Sequence, residues 1–137
     1  MSVRRVLRQA RALTFSEVRL LISACAAHAL VRLLVVLLPL PRVAALTARS
    51  HSRRLPPVSG ERLAQLVRWS TALCGGTCLT EGLVLRALAA RRGLDVPLII
   101  GIRREGDRLR AHAWTGGETV PGFVPLWRSA SARREAK

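Results

Sequence analysis

The run CLTEGLVLRALAARRG, residues 78–93, constrains the fold more than any other part of this chain. At helical spacing its apolar side chains cover most of the circumference, and such a helix is stable only when other elements enclose it. Thr77 offers a side-chain oxygen to the first turn, and Arg91, Arg92 and Gly93 are the usual closing residues. Just upstream, ERLAQLVRWSTAL places Leu63, Leu66, Val67, Ser70 and Leu73 on one face, all but Ser70 apolar. Trp69 flanks that face and is expected in the core. Gly75 and Gly76 break helical propensity between the two segments. A one-sided helix should therefore turn a tight corner into a central, buried one.

Beyond Gly93 the period changes from helical to alternating. VPLIIGIRR is a β-branched apolar run of strand length. A turn at Glu105-Gly106-Asp107 leads into RLRAHAWT, where Leu109, Ala111 and Ala113 alternate with Arg110, His112 and Trp114. Gly116-Gly117 is a two-residue hairpin signal, so ETVPGFVPLW is expected as the return strand beside it. In that register Pro121 lies opposite His112 and Glu118 opposite Thr115, with Glu118 on the other sheet face. Helices followed by a small antiparallel sheet make an α+β fold.

The chain divides into an apolar helical segment at 1–48, a polar linker at 49–59, a compact domain at 60–128 and a basic tail at 129–137. Residues 15–40 are strongly apolar but contain Arg19, His28 and Arg32. A membrane span would want about 20 apolar residues with few or no charges. A secretory signal would want an uninterrupted apolar stretch and a small-residue cleavage site. The segment is expected as one or two helices packing on the domain and ended by Pro39 and Pro41. Membrane insertion stays open as the competing reading.

Net charge is +15, carried by 22 Arg and one Lys. The arginines are scattered from Arg4 to Arg134 without aromatic residues between them on one face, which nucleic-acid stacking would require. The charge suits acidic partners or a membrane surface better than DNA. Three cysteines, Cys25, Cys74 and Cys78, are an odd number for a disulfide scaffold and fit a reducing compartment. Cys74 and Cys78 could begin a zinc site, but no second Cys pair or spaced His pair completes four ligands.

Cys78 follows the Thr77 cap directly. The first turn of a helix has unpaired N–H groups that favour a thiolate and can hold an oxyanion. Cys74, before the glycines, and Cys25, in an apolar run, have no such position. Of three histidines, His28 lies in the apolar N-terminal segment and His51 in the linker; His112 alone is on a strand after the central helix. Cys78 as nucleophile and His112 as base would make a cysteine peptidase. A core cysteine and a structural strand histidine would give the same pattern.

Thr77-Cys78-Leu79, LVLRALAARRG, LIIGIRR and Ala111-His112-Ala113-Trp114 together resemble the leader peptidases of lasso-peptide biosynthesis, in order and spacing over roughly residues 60–120. VRLLVVLLPLPRVAAL is similar to that family's apolar N-terminal segment. The resemblance implies a transglutaminase-like fold related to papain-type peptidases, with a central helix on a small antiparallel sheet. It implies catalysis by Cys78 and His112, with Trp114 packed beside the histidine, and no metal, nucleotide or organic cofactor. The family's third member is an Asp about a dozen residues after the His; here the twelfth residue after His112 is Val124, so that member is replaced, displaced or absent, and Glu118 is the nearest carboxylate after His112. The implied reaction is removal of the leader from a ribosomal precursor peptide in the cytoplasm, before an ATP-dependent cyclase acts. Residues 1–48 are too short and apolar to supply a winged-helix recognition module as well. A separate leader-recognition protein and the lasso cyclase are therefore the expected partners, with peripheral membrane contact but no nucleic acid. The rival classes are a non-catalytic membrane-associated protein and a basic nucleic-acid-binding module.

Overall fold

The computed structural model describes residues 12–49, 58–117 and 119–130. Among the described residues, four helices precede three strands: α1 (Phe15–Leu37), α2 (Leu40–Ala48), α3 (Gly60–Cys74), α4 (Cys78–Ala90), β1 (Leu98–Glu105), β2 (Arg108–Thr115) and β3 (Val124–Arg128). Together with the small antiparallel sheet this is the α+β architecture that the change of period predicts.

The central helix is the one whose apolar residues encircle it. Leu83, Val84, Leu88, Ala89 and Ala90 of α4 are buried, and the helix touches α1, α2, α3, β1 and β2. Gly82 lies against the sheet, where a Cβ would come 2.6 Å from Leu98 Cδ1. Leu63, Leu66 and Val67 of α3 meet Leu20, Ala24 and Val31 of α1 in the same core. The apolar N-terminal segment thus contributes two helices to the core, separated at Pro39, which caps α2. A capping box at Thr14 and Glu17 starts α1, and Glu17 also accepts from Arg62 Nε of α3 at 2.5 Å. That bond, with the Thr14 amide, holds the Glu17 carboxyl down at about 2.

The sheet corrects one expectation. β1 and β2 form the hairpin, turning at Gly106 with φ of +59°. The strand after Gly116-Gly117, however, does not return along β2. It pairs antiparallel with the other edge of β1, giving the order β2-β1-β3. His112 is therefore opposite Gly101, not Pro121, and strand pairing begins only at Val124. The reason lies in composition. β1 carries Leu98, Ile99, Ile100 and Ile102 on its two faces, so the central position covers it best. β2 is charged along its first half and suits an edge. The return segment also contains Pro121 and Pro125, which cannot donate to a ladder. Pro125 sits at the bulge in the β1–β3 pairing.

Arg86 of α4 ties the layers together. It is buried, and it donates to the Val96 carbonyl at 2.8 Å, to Ser129 Oγ at 2.5 Å and to the Ala130 carbonyl at 2.9 Å. Ser129 Oγ in turn accepts from the Leu98 amide at 2.9 Å. One cation thus closes the start of β1 and the end of β3 onto the central helix.

Candidate functional site

The corner between α3 and α4 is built by backbone geometry. Gly75 ends α3 with φ of +64°, the left-handed conformation that favours glycine. Thr77 then caps α4, its hydroxyl accepting from the Thr80 amide while Thr80 Oγ1 accepts from the Thr77 amide at 2.8 Å. This reciprocal cap makes Cys78 the first residue of the central helix, and its side chain is exposed. The first-turn amides of Cys78 and Leu79 have no hydrogen-bond partner among the described residues, as expected at a helix start.

Residues of α1 hold this corner from behind, a contribution that sequence reasoning missed. Arg32 donates to the Gly75 carbonyl. His28, fully buried, places Nε2 3.1 Å from Thr71 Oγ1, and its ring lies 3.2 Å from where a Cβ on Gly76 would be. The spacing His28-x-x-x-Arg32 was visible, but nothing in it says what the two side chains meet. Burial, reinforced by the Arg32 charge, holds the His28 imidazole below its ordinary range. The folded protein therefore keeps His28 neutral where the unfolded chain, with a value near about 6.5, takes up a proton. More protons on the unfolded state means that stability present above about pH 6.5 is lost as pH falls toward the folded value. Melting temperature followed by circular dichroism should drop on acidification, and less steeply in His28→Gln. An equal slope in both proteins would contradict this. The Glu17 contribution, lost between its ordinary range and about 2, lies lower on the pH axis.

Cys25 and Cys74 are half-buried free thiols. Burial and contact with Cys74 push the Cys25 thiol up to about 11. Neither shares the exposure of Cys78 or its place at a helix start.

His112 lies on β2 in contact with aromatic rings. Its imidazole stacks on Trp114 at 6.1 Å between centroids and tilts against Phe123 at 5.3 Å. Trp114 can lie across β1 because Gly101 has no side chain: a Cβ there would come 2.7 Å from the indole and 2.7 Å from the Val124 carbonyl. Arg86 meets Val96, and Gly82 meets Leu98 and Thr115. Cys78 lies one turn, about 5.4 Å, before Gly82 on α4. His112 does not face that helix. Ala113 points into the core shared with the helices, so strand alternation turns His112 to the opposite face. No hydrogen bond joins the two side chains, and no carboxylate among the described residues bonds to His112. Glu118, the candidate third member, lies outside the described residues.

A family model described as the transglutaminase-like superfamily matches residues 18–129. That span takes in α1 from Val18, the Cys78 corner and all three strands. No curated protein and no solved structure was found to match.

Proposed function

Because the chain belongs to the transglutaminase-like superfamily, we propose that it is a cysteine peptidase whose nucleophile is Cys78. The observation carrying this reading is the exposed thiol at the first residue of an enclosed helix, beside two unpaired amides. In the proposed reaction the sulfur attacks a peptide carbonyl, and the amides of Cys78 and Leu79 stabilise the oxyanion. His112 takes the thiol proton and passes it to the leaving amine, and water then hydrolyses the acyl-enzyme. For His112 to reach the sulfur, β2 must present its other face. The finer reading is removal of a leader from a lasso-peptide precursor delivered by a separate recognition protein, upstream of the cyclase. It rests on the resemblance of the Thr77-Cys78 and His112-Ala113-Trp114 motifs.

The present orientation of His112 favours a second reading, a binding domain that keeps the fold without catalysis. Iodoacetamide labelling of the native protein at neutral pH, mapped by mass spectrometry, separates the two. Catalysis predicts fastest labelling at Cys78 and slower labelling there in His112→Ala. A Cys78 rate that does not change in His112→Ala supports the non-catalytic domain.

A further inference from the structure

α1 is apolar on two opposite faces, and only one of them is covered. The inner face, with Leu20, Ala24, His28 and Val31, is buried in the core. On the outer face Phe15, Ile22, Ala26, Leu33 and Val36 are all exposed, with Phe15 at 80%, Ile22 at 63% and Val36 at 82%. These positions recur at helical spacing from Phe15 to Val36, a stripe about 32 Å long. A helix apolar on all sides normally has both sides out of water. Beside the stripe, an apolar groove of about 540 Å³ runs between α1, α2 and α4, with Leu30 and Leu46 at its wall and Arg91 among its lining residues.

Charge indicates what covers this face. The acidic residue of α1, Glu17, is tied to Arg62 on the inner side. Arg19 on α1 and Arg42 on α2 are exposed, and residues 18–48 contain no carboxylate. A second copy of a chain with net charge +15 would bring like charges together. A surface that is apolar below and anionic above satisfies both features. We propose that α1 lies in the plane of an anionic lipid bilayer, with its outer stripe among the acyl chains and the flanking arginines at the phosphates. Because its inner face is part of the core, the helix lies on the membrane and does not cross it. This orientation is independent of the chemistry at Cys78.

Co-sedimentation of the full chain with phosphatidylcholine vesicles, with and without phosphatidylglycerol, tests it. The protein should pellet with the anionic vesicles, less so as salt rises, and stay in solution with the neutral ones. Ile22→Asp/Leu33→Asp should lower the bound fraction about tenfold or more. Both sites are exposed, so its circular dichroism and melting temperature should match the wild type. Arg19→Glu should weaken binding to anionic vesicles only. The proposal is overturned if the wild type stays in solution with anionic vesicles, if it binds neutral vesicles equally, or if the folded double variant binds as well. Sedimentation velocity adds a further arm: a wild-type dimer that the double variant converts to monomer would make a second copy the occupant.

Discussion

Cys78→Ala should lower leader cleavage by on the order of 10⁴-fold or more, the scale seen when a covalent nucleophile is removed. The substitution removes a side chain that is exposed at a helix start and has no part in the core. The Thr77 and Thr80 cap does not depend on the sulfur, so folding should be unchanged. Cys25→Ala and Cys74→Ala supply the controls. Their thiols are half-buried, and burial keeps the Cys25 thiol protonated well above neutral pH. Each should retain cleavage, with at most some loss of stability. The assay follows precursor and released leader by mass spectrometry, with the recognition protein present. Cleavage by folded Cys78→Ala at the wild-type rate would end the proposed mechanism. Loss of activity in all three variants with folding intact would mean that the corner, and not the Cys78 sulfur, is what matters.

Arg86→Ala should be the most destabilising single change outside the apolar core, at about 3–5 kcal/mol. It strips a donor from the Val96 and Ala130 carbonyls and from Ser129 Oγ. Ser129 Oγ, which is buried, costs about 1–3 kcal/mol when this donor is lost, and the part-buried bonds to Val96 and Ala130 cost less. Removing the buried charge returns part of this, because desolvation already disfavours the Arg86 cation. Melting temperature should fall by on the order of 10 °C. Arg86→Met, which keeps most of the stem volume, separates the two causes. If lost hydrogen bonds dominate, Met should recover little of the stability. Full recovery by Met would mean that Arg86 serves mainly as a filler, and a shift below about 1 kcal/mol for Ala would show that β3 is held by other contacts.

Local chemistry along the chain determined much of this molecule. Apolar residues around the whole of α4 require enclosure, and Gly75, Gly76 and Thr77 encode the end of one helix and the cap of the next. The run from Arg108 to Thr115 alternates with period two and forms a strand over those residues. These features act within a few residues of one another, so composition and spacing are enough to read them. The Cys78 position at the helix start is legible for the same reason. What only the tertiary structure decided depends on which segments meet. Gly116-Gly117 permits a hairpin, but β1 has two edges to pair, and long-range pairing took the other one. That choice left β2 at the sheet edge, with Pro121 not opposite His112, and the core position of Ala113 set which face the imidazole occupies. His28 and Arg32 reach the Cys78 corner across 43 positions of sequence. Arg86 finds Ser129 over the same separation. Such pairs carry no periodic signal, because only the packing of α1 on α3 and of α4 under the sheet brings them within reach.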